Sequence, residues 1–148
     1  VSHSRNVQHI VFSTKERQPW ISGDLQPDLY AYMGGIARKH RCVLMEAGGI
    51  ADHVHLLMLV HSTVAIADLV RDVKSGSSRW VHDTFGNLKF FAWQSKYGAF
   101  SVSHSMENTV TAYIRNQATH HRKKSFKDEY RVLLERHGIE YDERYVWE

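Results

Sequence analysis

The stretch from Cys42 to His61, CVLMEAGGIADHVHLLMLVH, limits the folds open to this chain more than any other. Two apolar runs, CVLMEAGGI and HVHLLMLVH, flank a short Ala51-Asp52 turn, which is the signature of an antiparallel hairpin. A hairpin is marginal by itself and needs further strands or covering helices. At 148 residues the chain can supply them within a single domain spanning residues 1–148, burying about 70% of the surface its unfolded form exposes.

Those further elements are readable on both sides. NVQHIVFSTK alternates Val7, His9 and Val11 with Gln8, Ile10 and Phe12, a strand pattern that ends before Pro19. From Ser22 to His40, Leu25, Leu29, Tyr32, Met33 and Ile36 recur at helical spacing, with Ser22 as a candidate cap. IADLVRDVKSGSSRWVHDTF predicts one helix, or two with a kink at the polar KSGSS. LKFFAWQSKYGAFSVSHS predicts a strand ending near Ser103. A third helix is expected from Ser105 to about His121, capped by Ser103 or Ser105, and then a charged tail anchored by Phe126, Tyr130, Leu133, Leu134 and Trp147. The resulting strand, helix, strand, strand, helix, strand order is α+β and ferredoxin-like (RRM-like): an antiparallel sheet with helices packed on it, plus the helix that carries Tyr113.

Alternation along a strand projects His53 and His55 side by side, with Val54, Leu56 and Met58 on the opposite face. Two such rings can share a metal ion, although spacing alone favours a hydrogen-bonded pair at a strand edge. In VTAYIRNQATHH, Tyr113 and Gln117 stand one helical turn apart on one face. If that face closed over the histidine strand, a phenol and an amide oxygen would meet two imidazoles; a half-buried tyrosine beside a solvated glutamine is the alternative. The single cysteine, Cys42, excludes an intrachain disulfide and every cysteine-based zinc motif, and reads as inert core.

Taken together, DHVHLLM, YGAFSVSHS, YIRNQATHHRKKSFKDEY and LLERHGIEYDERYVW, with HIVFSTKERQPWI and SSRWV upstream, resemble the single-tyrosine, IS200-like transposases of insertion sequences, members of the HUH endonuclease superfamily. The resemblance implies a divalent metal, magnesium or manganese, held by His53, His55 and Gln117, with Tyr113 as the nucleophile that forms a 5′-phosphotyrosine while nicking and rejoining single-stranded DNA. It further implies hairpins at element ends as substrate and a homodimer, in which a flexible stretch from Gly98 to Ser105 would let the Tyr113 helix dock in cis or in trans. A domesticated hairpin-binding protein that no longer moves DNA is the alternative function, and an unrelated metallohydrolase using His53 and His55 a further one.

A formal charge of +3 favours polyanionic partners without demanding them. The basic residues concentrate in RDVKSGSSRW and HHRKK, making Arg71, Lys74, Arg79, Arg122, Lys123 and Lys124 candidate phosphate contacts, with Trp80, Trp93 and Tyr97 as candidate stacking surfaces. Neither a secretion signal nor a membrane span is indicated, so a cytoplasmic setting is expected.

Overall fold

The computed structural model describes residues 2–148. Strand β1 (Asn6–Ser13) is followed by helix α1 (Leu25–Lys39), the hairpin β2 (Val43–Ile50) and β3 (His53–Val60), helix α2 (Ile66–Thr84) and strand β4 (Gly98–Val102). The four strands form one antiparallel sheet in the order β2-β3-β1-β4, the ferredoxin-like arrangement expected from the sequence. Helices α3 (Glu107–Arg115), α4 (Gln117–His120) and α5 (Phe126–Arg136) follow.

Each face of the sheet has its own core. Ile10, Phe12, Val54, Leu56 and Met58 meet Leu25, Leu29, Met33 and Ala37 of α1 and Leu69, Val70, Val73 and Val81 of α2. Side chains buried this completely contribute about 1.5–3 kcal/mol each when as large as Leu29 or Met33. The alternate residues Val7, Val11 and Leu57 point the other way, into two smaller clusters built with Val110, Tyr113 and Ile114 of α3 and Phe126, Tyr130, Leu133 and Leu134 of α5. The second face is therefore covered, and the two histidines of β3 are enclosed between sheet and helices.

KSGSS does not break α2, which runs unbroken through it. Gly76 is the point where α1 crosses closely: a Cβ there would lie 2.7 Å from Ile36 Cδ1. A second glycine matters more for the site. A Cβ on Gly48 would stand 2.3 Å from the backbone oxygen of Ile114, so only glycine lets α3 settle this closely on β2.

Two local expectations differ from what is observed. The segment expected to be one helix from Ser105 to His121 is a short 3-10 turn (His104–Met106), α3 and α4, interrupted at Asn116, whose N–H reaches both Ala112 and Tyr113 carbonyls. Neither Ser103 nor Ser105 caps a backbone N–H there; their hydroxyls lie 3.1 Å from each other, and Arg5 instead clamps the start of α3 by two 2.7 Å bonds to Glu107. The stretch expected as a flexible linker, Gly98 to Ser105, is mostly ordered structure, because β4 pairs with β1 from Val11↔Gly98 to Val7↔Val102 and buries Phe100.

Candidate metal and nucleophile site

Strand β3 brings His53 and His55 to the same face, both wholly buried. Their surroundings come from three helical segments. α4 supplies Gln117, whose Oε1 lies 2.9 Å from His53 Nε2. His121, just after α4, places Nε2 3.0 Å from the same oxygen. α5 supplies Glu129: its Oε1 lies 2.9 Å from His55 Nε2 and 3.1 Å from His121 Nε2, while Gln117 Nε2 donates to its Oε2 at 3.1 Å. The Tyr113 hydroxyl donates to that same Oε2.

The helices hold these side chains for identifiable reasons. Ser125 accepts a bond from the Asp128 N–H and starts α5, and its apolar stripe Phe126, Tyr130, Leu133 and Leu134 buries the face on which Glu129 also lies. The helix is interrupted at Asn116, between Tyr113 and Gln117, and both side chains reach Glu129.

A second tier fixes the imidazoles. His53 Nδ1 is 2.7 Å from Asp52 Oδ1, so the ring donates there and presents Nε2 to the cluster. His55 Nδ1 lies 2.8 Å from His9 Nε2, and the two rings stack with centroids 5.0 Å apart.

The electrostatics separate the two members of the pair. Burial disfavours charge on His53, but its bonds to Asp52 and Glu129 outweigh that and raise its pKa to about 9. Burial dominates for His55 and for His9, lowering them to about 4 and about 3. Burial opposes ionisation of Glu129 too, yet the surrounding imidazoles hold it far below the ordinary carboxylate range. Burial, and then the Glu129 carboxylate, push the Tyr113 phenol up.

One potential ligand atom from each of His53, His55, His121 and Glu129 lies within 4.8 Å of all the others, a donor set that fits a divalent cation, with Gln117 Oε1 beside it. Of the four residues selected from the sequence, His53, His55 and Gln117 are thus in one cluster, and Tyr113 reaches it through Glu129.

Glu129, His121, His9 and Asp52 were not selected from the sequence. The helical stripe held a signal for one of them, since Glu129 falls three residues after Phe126 and four before Leu133, both buried.

The basic candidates divide between the two faces. Lys123 and Lys124 line a cavity that also borders Tyr113, and Arg122 is exposed beside them. Arg71, Lys74 and Arg79 belong to α2, on the opposite face of the sheet. Arg71 pairs with Asp68 and Asp72, and Arg79 is exposed. Lys74 donates to the carbonyl oxygens of Gln94 and Lys96, 2.8 Å each, beneath the Tyr97 ring, and burial lowers its pKa to about 8. Trp93 donates to Ser77 and packs edge-on against Phe12, whereas Trp80 stacks on the partly exposed Tyr32 at 5.2 Å.

The chain is 27% identical over 82 residues to the transposase of the insertion sequence element IS200 from Salmonella typhimurium, a match spanning 55% of the chain but about half (54%) of that relative's length. It is 25% identical to the ISDra2 transposase TnpA of Deinococcus radiodurans, across 74% of the chain and 81% of the relative. The crystal structure of a candidate transposase from Deinococcus radiodurans superposes with a TM-score of 0.66 at 25% identity, covering 78% of this chain and 93% of the other. A REP-associated tyrosine transposase bound to a REP hairpin shares the fold, with a TM-score of 0.61 at 13% identity over 82% and 74% of the two chains. The family model for IS200-like transposases matches residues 2–117, and the chain belongs to that family.

Proposed function

We propose that this chain is a metal-dependent, HUH-type single-strand DNA transposase that cuts and rejoins hairpin-bearing DNA ends through Tyr113. The observation that carries the reading is the convergence of the Tyr113 hydroxyl and the His53/His55 pair on opposite oxygens of one carboxylate, Glu129. His53, His55 and Gln117 would hold the cation, with Glu129 Oε1 as a further donor. Several imidazoles beside few oxygens suit manganese better than magnesium, which prefers an oxygen shell. A bound divalent cation would draw charge from a non-bridging phosphate oxygen and fix the phosphate for in-line attack.

The protein's own groups account for the remaining steps. Asp52 and His9 hold the imidazole rings in place. The hydrogen bond from the Tyr113 phenol to Glu129 Oε2 holds the attacking oxygen beside the cluster. The Tyr113 oxygen forms a bond to phosphorus as the bond to the 3′-oxygen breaks, leaving a 5′-phosphotyrosine and a 3′-hydroxyl. A 3′-hydroxyl reverses the exchange by attacking phosphorus and releasing the phenol. Bond energy is conserved, so joining needs no nucleotide cofactor.

Lys123 and Lys124, which share a cavity with Tyr113, and the adjoining Arg122 are the proposed phosphate contacts of that face, and Arg71, Lys74 and Arg79 those of the opposite face. The reading includes residues 1–148 acting as one domain, a homodimer and a cytoplasmic setting; among the described residues, no helix is long and apolar enough to cross a membrane.

The test is incubation with end-labelled single-stranded hairpin DNA and manganese or magnesium. A covalent protein–DNA adduct is expected, and none from Tyr113→Phe. An equal adduct yield from that variant overturns the nucleophile; a free 5′-phosphate means hydrolysis, and hairpin binding without cleavage means a binding module.

A further inference from the structure

Beside Tyr113, β4, α3 and α5 border a cavity of about 870 Å³ that opens onto the cluster at Glu129, His121 and His9 and extends past it into space the proposed strand chemistry does not by itself use. Its size is that of a small-molecule site. Val102, Met106, Val110 and Leu133 line it, and Phe100 provides an aromatic wall, with the His137 ring packed on it at 4.6 Å. Met106 keeps 48% of its surface exposed at the rim. Lys123, Lys124 and Arg136 also border the cavity, which therefore combines an apolar lining with cationic side chains.

The occupant must suit both parts and must be near Tyr113. A peptide or lipid tail would use the apolar lining but has no need of the three cations. A nucleotide uses both: a flat, weakly polar ring inside and phosphates outside. The Tyr113 ring already stacks on His120, centroids 4.7 Å apart and 30° between planes, so one cavity wall is a π-surface on which a base can lie.

We propose that this cavity receives one unstacked nucleobase of the DNA strand, the base next to the phosphate that Tyr113 attacks. The proposal rests on the reading of Tyr113 as nucleophile. Seating that base outside the stack fixes the adjoining phosphodiester against the phenol and lets the protein choose its cutting position without a long sequence readout.

Two measurements on the full chain test it. In the first, the cleavage position is mapped with hairpin DNA and manganese, and each flanking nucleotide is replaced in turn by an abasic one. Loss of one flanking base is expected to lower kcat/KM by about tenfold or more, and Met106→Trp, which fills the cavity, to abolish that dependence. In the second, the four deoxynucleoside 5′-monophosphates are titrated into the uncut protein, and the methyl resonances of Met106, Val110 and Leu133 are expected to shift.

The two readings fail separately. Adduct formation indifferent to every abasic substitution, with silent methyl resonances, overturns the cavity proposal and leaves Tyr113 standing. Shifted methyls without any adduct overturn the nucleophile and keep the base site. Methyl shifts that follow protein concentration instead of nucleotide mean that a second copy of the chain covers the cavity, which also overturns the proposal.

Discussion

The Tyr113 hydroxyl and the His55 ring, brought from α3 and β3, are held by the two oxygens of a single carboxylate: Tyr113 donates to Glu129 Oε2, and His55 Nε2 lies 2.9 Å from Oε1. Glu129→Gln keeps the shape and removes the charge. Divalent-cation affinity is expected to fall by about tenfold or more, read by calorimetric titration with manganese. The phenol should ionise at lower pH than in the parent, because the carboxylate that opposes its negative charge is gone. An unchanged ultraviolet phenolate titration would show that Glu129 does not govern Tyr113.

Asp52 acts on the same cluster from outside. Asp52→Asn weakens the acceptor for His53 Nδ1, so the His53 pKa should drop from about 9, and manganese affinity by about 10- to 100-fold. The ring's own proton NMR titration measures the first effect. A His53 titration identical in both proteins would remove Asp52 from the account.

The histidines also set a pH profile for the metal-free fold. His9 and His55, lowered to about 3 and about 4, remain neutral when folded, while unfolded rings take up protons near pH 6.5; stability therefore falls as pH drops from about 6.5 to about 4. Glu129, also lowered, adds to this loss below the ordinary carboxylate range. His53 has the opposite sign: raised to about 9, its contribution is complete below about 6.5 and disappears as pH climbs through 9. Calorimetry in a chelating buffer should give the highest Tm near neutrality, with His9→Gln flattening the acidic limb. A Tm that rises steadily from acid to alkali would contradict this assignment.

Gly48→Ala should destabilise the protein by about 1–3 kcal/mol, because the added carbon would meet the Ile114 carbonyl at 2.3 Å. The displaced element is α3, so adduct yield should decline even at temperatures where the variant is folded. Denaturant unfolding gives the first quantity. A variant as stable as the parent would show that α3 can retreat from β2 without loss.

On the DNA side, Lys123→Ala and Lys124→Ala should each reduce the salt dependence of hairpin binding by about one phosphate contact. Arg79→Ala tests the opposite face in the same way. Lys74→Ala, by leaving two carbonyl oxygens unpartnered, is expected to lower Tm whatever it does to DNA. Identical salt slopes for parent and Lys123→Ala would take the HHRKK segment out of the DNA path.

Alternation and helical periodicity were enough to read the sheet, because β1 and β3 each serve two cores and so repeat with period two. The same alternation put His53 and His55 on one face. Long-range partners were another matter. Glu129 is separated from His55 by 74 residues, and the apolar anchors of the charged tail, Phe126 and Tyr130, predict that it packs without saying that α5 lies over the site. His9 gave no more signal, since a histidine alternating with valines suits a strand edge as well as a buried ring. The interruption at Asn116 is also hidden from pattern reading: Tyr113 and Gln117 keep the spacing of one helical turn although the helix between them stops.

Strand β3 ties the clustered imidazoles to the hydrophobic register. His53 and His55 occupy one parity, and Val54, Leu56 and Met58 the other. A one-residue insertion or deletion in the Ala51-Asp52 turn that shifted this strand would drive two imidazoles into the main core and turn aliphatic side chains toward Glu129. Loss of chemistry and loss of folding would then arrive in the same event, so length changes at this turn are barred to any descendant that keeps either.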